Sequence, residues 1–143
     1  MKVRFKKVHP DAVTPTRGTE HSAGLDITAI DVEVTSDYIE YKTGLALEIP
    51  PGHMGLLFPR SSVSKKDLVL ANSVGVIDAD FRLPFTFRFK KTTQIDANLY
   101  KVGEKIGQLV IVPYPIIELE ETTELQDPGT RIGGFGSTSK EGK

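Results

Sequence analysis

The chain contains no cysteine. Disulfides, thiolate zinc sites and cysteine nucleophiles are therefore excluded, and the composition fits a reducing compartment. A dominant charge sign is missing too: 18 Lys and Arg stand against 19 Asp and Glu, a net charge of -1. Nothing in that balance draws the chain toward nucleic acid or an anionic membrane, so any anion site must be local. No apolar run approaches a membrane span, and the start, Met1-Lys-Val-Arg-Phe-Lys-Lys-Val8, lacks the apolar core of a secretory signal. The expectation is a soluble, cytoplasmic protein with neither a membrane nor a nucleic-acid partner. No segment of helical length and spacing survives the Gly and Pro punctuation. The three histidines, His9, His21 and His53, are too scattered to suggest a zinc site.

What remains is one domain of 143 residues built from short alternating segments, and the class is all-β. Val3, Phe5 and Val8 suggest a first strand, and Ile30, Val32 and Val34 alternate with polar residues as a half-buried strand. Tyr41 to Ile49 alternates through Leu45 and Leu47, Pro50-Pro51-Gly52 turns the chain, and Met54, Leu56 and Phe58 alternate on the way back, which predicts a hairpin. Phe85, Phe87 and Phe89 alternate with Thr86 and Arg88 in a strand with one wet face, so these rings belong to the core. Residues 92–100 read as a loop and Leu109–Val112 as a buried strand, after which Pro113 and Pro115 exclude a central strand position for the next segment.

Chemistry concentrates in a few places. The stretch from Asn72 to Arg82 ends an apolar run in Asp78, Asp80 and Phe81, with Val74, Val76 and Ile77 reading as a strand and Gly75 allowing close backbone approach. Taken alone, the two carboxylates read as turn residues, and a turn can also carry a catalytic carboxylate. Asp26 lies in the Ser22–Asp26 stretch that precedes a strand, where loop capping is its simplest role. After Pro59 and Arg60, Ser61 or Ser62 can cap a short helical turn, giving backbone N–H groups, hydroxyls and a guanidinium suited to phosphate; a capped surface turn with a solvated basic run is an equal alternative. Gln108 is either a ladder-end amide or a ligand contact. The last residues, 127–140, hold too many glycines and too little apolar surface to fold alone, and read as a frayed terminus or a closing lid with Phe135 available to stack on a ring.

Five segments in this order, Ala23–Asp26, Pro59–Ser61, Asn72–Arg82, Gly103–Leu109 and Gly133–Thr138, resemble the trimeric dUTPases over most of the chain. The resemblance implies a β-barrel or jelly-roll domain over residues 1–128, a flexible catalytic arm over 129–143, and a homotrimer with shared active sites. It implies hydrolysis of dUTP to dUMP and pyrophosphate with magnesium (Mg2+). Asp78 would be the base that activates water; Asn72, Gly75 and Ile77 would face the uracil, and Phe81 would pack on the deoxyribose in place of the family's Tyr. Asp26 would hold magnesium through water, and Arg60, Ser61, Ser62 and Gln108 would meet substrate, the phosphates foremost. The arm would bring Phe135 to the base and Arg131, Ser137 and Thr138 to the phosphates, with Gly136 also meeting substrate. Against the family pattern, Ser62 replaces a Gly, Leu83 replaces the Gly after Arg82, and Arg131 lies one residue nearer the glycines. Two other outcomes of this resemblance are a nucleotide-binding regulatory trimer signalling to a protein partner, and a dCTP deaminase of the same fold.

Overall fold

The computed structural model describes residues 1–95, 97–130 and 132–139. Among them the regular structure is almost entirely extended: β1 (Arg4–Lys7), β2 (Thr16–Arg17), β3 (Leu25–Thr28), β4 (Asp31–Val34), β5 (Ile39–Lys42), β6 (Leu45–Glu48), β7 (His53–Phe58), β8 (Leu68–Leu70), β9 (Gly75–Ile77), β10 (Thr86–Lys91) and β11 (Lys105–Pro113). The exceptions are two short 3-10 turns, Ser61–Lys65 and Ser137–Ser139. One sheet runs β4-β5-β10-β8, a second runs β2-β3-β11-β7-β9, and β1 pairs with β6. Both larger sheets feed a single core: Tyr41, Phe87 and Phe89 from the first meet Ile27, Leu57 and Leu109 from the second. Removing each such side chain from water contributes about 1.5–3 kcal/mol.

The sheets meet closely where Gly107 of β11 passes Phe87 of β10. A Cβ on Gly107 would lie 2.2 Å from the Phe87 ring, so only glycine lets the two layers close there. Phe87 stacks on Phe89, which in turn meets Tyr41 edge-on at 5.7 Å between centroids. Buried Tyr41 donates its hydroxyl to the Tyr100 carbonyl at 2.8 Å, and burial pushes its phenol up to about 12. The described residues of 92–100 form no strand, as expected, and Tyr100 at the end of this stretch is buried in the core.

Several sequence expectations need correction. Tyr41 to Ile49 is not one strand, because Gly44 adopts φ +65° and hands the chain from β5 in the four-stranded sheet to β6, which pairs with β1. A side chain at Gly44 would meet Ile30 at 2.8 Å and His9 at 2.9 Å, so the break is built into the packing. No hairpin joins β6 to β7 either, since β7 pairs with β11 and β9. In β7 the fully buried face is Gly55 and Leu57, while Met54, Leu56 and Phe58 are only half-buried. Leu109 is buried and Ile111, on the same face, packs half-buried against the core, while Val110 and Val112 on the opposite face are also only half-buried. Val34 is likewise exposed at the edge of its sheet.

Candidate active site

The first cluster grows from the register of β3 on β11, which sets Asp26 opposite Gln108, with Phe58 of β7 opposite Gln108 on its other side. Chain leaving β7 then brings Arg60 back over Asp26. Arg60 Nε reaches Asp26 Oδ1 at 2.9 Å and Lys105 Nζ lies 3.4 Å from Oδ2, so one carboxylate holds two cations. The Asp26 side chain keeps only 16% of its exposure. Gln108 donates its amide to the Pro59 carbonyl at 3.1 Å, which fixes the side chain facing Gly24. A Cβ on Gly24 would stand 2.4 Å from Gln108 Oε1, which explains a glycine two residues before Asp26. Asp26, Arg60, Ser61 and Gln108 line one open pocket of about 250 Å3 with Gly18, Ser22 and Gly24. A guanidinium, hydroxyls and an amide around an open pocket are donors that bind phosphate oxygens.

Neither Ser61 nor Ser62 caps the turn that follows. Arg60 occupies the cap position without a side-chain bond, because both serines lie inside the turn. Ser62 faces away from the pocket and shares a 2.8 Å hydrogen bond with the Tyr100 hydroxyl.

The second cluster lies at the edge of the five-stranded sheet. β9 pairs with β7 on one side and is the last strand of its sheet, so its other edge has no ladder partner among the described residues. Backbone groups there are free for an incoming planar ligand. Asn72 and Gly75 line an adjoining cavity of about 400 Å3 with Leu57, Thr86, Phe87 and Arg88. The bend before β9 is sharp, with Ser73 at φ +62° and Val74 N–H donating to the Asn72 carbonyl at 2.6 Å. Ile77 is buried, so only its backbone can face a ligand. The strand stops there, and Phe81 N–H donates to the Asp78 carbonyl at 3.1 Å in a turn. Asp78 is exposed at the end of the strand, and the Phe81 ring is 38% exposed.

The two clusters do not merge within one chain. Ile77 pairs with Gly55 and Gln108 with Phe58, three residues apart along β7 and on opposite sides of it. Strand spacing puts Ile77 and Gln108 about 14 Å apart, with Asp78 farther still. In the tail, Phe135 is fully exposed, Gly136 adopts φ +80°, and Ser137 and Thr138 lie in the final 3-10 turn. None of these four lines the Asp26 or the Gly75 pocket. Arg131 lies outside the described residues. Sequence reasoning overlooked Lys105 as a partner of Asp26; its position three residues before Gln108 was the available signal.

The dUTPase family model matches residues 11–139. The chain belongs to the dUTPase family. Deoxyuridine 5'-triphosphate nucleotidohydrolase of Hydrogenobaculum sp. (strain Y04AAS1) is 36% identical to it over 142 residues, covering 96% of this chain and 98% of the relative. The protein of that name from Escherichia phage T5 is 34% identical over 97% of this chain and 99% of its own. Among solved structures, a mutant Staphylococcus bacteriophage 80alpha dUTPase with dUpNHpp superposes with a TM-score of 0.78 at 29% identity, covering 96% of this chain and 98% of that one. A mutant dUTPase from phage phi11 of S. aureus, described as coordinating a structural Mg(II) ion, gives a TM-score of 0.73 at 27% identity over 87% of this chain and 98% of its own. The all-β, jelly-roll-like class expected of a dUTPase is thus the class observed. No helix among the described residues is long and apolar enough to cross a membrane.

Proposed function

We propose that this chain hydrolyses dUTP to dUMP and pyrophosphate as a homotrimer whose sites combine groups from different chains. The observation that carries this reading is the pairing, in a dUTPase-family chain, of a phosphate-suited cluster at Asp26, Arg60, Ser61 and Gln108 with an open strand edge ending in Asp78. The free edge of β9 and Asn72 recognise uracil through backbone groups, and Phe81 packs on the deoxyribose. Asp78 takes a proton from water while the water oxygen bonds to the α-phosphorus. The bond from that phosphorus to the α,β-bridging oxygen breaks, and pyrophosphate leaves toward Arg60, Ser61 and Gln108. The residues fit magnesium in one way. No group of three His, Asp or Glu able to hold a metal is found among the described residues, and both Asp26 oxygens already face cations. Asp26 would therefore hold Mg2+ through water, as suits an ion that keeps several waters and takes its other ligands from substrate phosphates. When bound, the ion supplies charge neutralisation on the triphosphate. Residues 129–143 close as a flexible arm, with Phe135 at the base, Arg131, Ser137 and Thr138 at the phosphates, and Gly136 also meeting substrate.

The separation of Asp78 from the Asp26 cluster supports sites shared between chains. So does an apolar row, exposed Val76 with half-buried Leu56 and Val110, that crosses β9, β7 and β11 on one face. Beyond β11, Ile116, Ile117 and Leu119 are at least 70% exposed, which a single chain in water does not favour. A regulatory role is compatible with turnover, and the phage 80alpha dUTPase is described as having an SaPI-inducing capacity alongside its enzymatic activity. Pyrophosphate release should be measured with dUTP, dTTP, dCTP and UTP. Release confined to dUTP is expected; equal release from dTTP or dCTP, or none from dUTP, would overturn the reading, and ammonia release from dCTP would mark a deaminase.

A further inference from the structure

Arg60 also lines a second cavity, of about 480 Å3, on the far side of the Ser61–Lys65 turn from Gly18 and Ser22. Four cations, Arg60, Lys65, Lys66 and Lys105, face this space against a single carboxylate, Glu104. Arg60 and Lys105 share Asp26, while Lys65 has no carboxylate partner among the described residues. Lys66 is the unusual member. Its side chain is only 17% exposed, and its ammonium lies over the Tyr100 ring at 5.1 Å. Its acceptors are distant: Asn98 Oδ1 at 3.5 Å, the Leu99 carbonyl at 3.4 Å and Glu104 at 3.9 Å. Normal bonds of this kind run about 2.7–3.2 Å, and withdrawing an ammonium from water without full partners is costly.

The wall holding these groups is cross-linked by hydrogen bonds. Asn98 donates its amide to the Lys65 carbonyl at 2.7 Å and its N–H to Asp67 at 2.6 Å, and Asp67 N–H returns to the Asn98 carbonyl at 2.9 Å. Tyr100 is buried, with its hydroxyl held at Ser62. Cations are thus gathered on hydrogen-bonded backbone around open space, with an ammonium among them whose contacts are all long.

We propose that this cavity is a second oxyanion site, distinct from the Asp26 pocket, that takes a phosphate-class ligand through Lys66 and Lys65. An incoming oxyanion supplies the short acceptors that Lys66 lacks, and two phosphoryl groups can span the two lysines. That the natural ligand is released pyrophosphate rests on the proposed hydrolysis; the site itself does not. The test is calorimetric titration of full-length protein, first saturated with dUpNHpp, using inorganic pyrophosphate in one arm and inorganic phosphate in the other. Failure of dUpNHpp to bind would count against the proposed function and leaves the titration of free protein to test the site. Anion binding that persists beside dUpNHpp is expected, tighter for pyrophosphate if it is the ligand and equal for both if a single phosphoryl group is. Lys66→Met should weaken it about tenfold, the worth of one charged hydrogen bond, without changing dUpNHpp affinity. Lys65→Glu, at an exposed position, should do the same and carries the test if Lys66→Met fails to fold. Absence of anion binding, its loss on saturation with dUpNHpp, or insensitivity to both variants would overturn the proposal.

Discussion

Asp78 makes no side-chain hydrogen bond or ion pair among the described residues and lies exposed past the last residue of β9. Its removal therefore has little to cost the fold. Asp78→Asn should melt at the temperature of the parent while dUTP hydrolysis falls roughly a hundredfold or more, the usual scale for a positioned base. An unchanged rate would remove Asp78 from the chemistry. Gly24 acts through a neighbour: an added Cβ would lie 2.4 Å from Gln108 Oε1 and 3.1 Å from its Cβ. Gly24→Ala should thus push the amide off the Pro59 carbonyl and raise KM for dUTP, with a modest loss of stability. A normal KM with a lowered melting temperature would instead make Gly24 a packing residue only.

At the scale of elements, the candidate site depends on ends and edges more than on strand interiors. β9 is three residues long, yet as an edge strand it offers backbone groups that a central strand would spend on its neighbours. The proposed arm over residues 129–143 is the opposite case. Its described residues are nearly all exposed, and ordering such a segment costs about 1–2 kcal/mol per residue. A chain lacking residues 129–143 should keep its melting temperature and oligomer size while activity collapses, checked by calorimetry, light scattering and a pyrophosphate assay. If the truncated chain unfolds or dissociates, the arm is structural.

For the whole molecule, the separation of Asp78 from Gln108, beyond the roughly 14 Å that strand spacing gives Ile77, makes assembly part of the chemistry. Asp78→Asn chains and chains without residues 129–143 should each be inactive alone. Refolded together, they should recover activity if Asp78 and the arm reach each site from different chains. In a closed trimer with random equal mixing, three in four assemblies are mixed and a third of their sites are complete, so about one quarter of the parent activity should return. No recovery in mixed trimers verified by mass would mean that both parts serve the site from the same chain.

The amino-acid order alone determined the all-β class, the burial of Phe85, Phe87 and Phe89 with the last two on one strand, and the absence of a strand among the described residues of 92–100, because alternation and Gly or Pro punctuation are local properties. Family membership was legible too, through five short segments whose residue types follow one another in order. Pairing was not legible. Tyr41 to Ile49 and Met54 to Phe58 look like a hairpin because the turn between them is sound, yet Gly44 at positive φ diverts β6 to β1 and leaves β7 to β9 and β11. Strand partners are chosen by long-range packing, which local alternation does not encode. The same limit applies to the site. That Asp26 would hold Arg60 and Lys105, and that Ser62 would turn away to Tyr100, followed from the register of β3 on β11 and the path of the chain after β7. Those contacts join residues 34 to 79 positions apart, and only the folded sheet brings them within hydrogen-bonding reach.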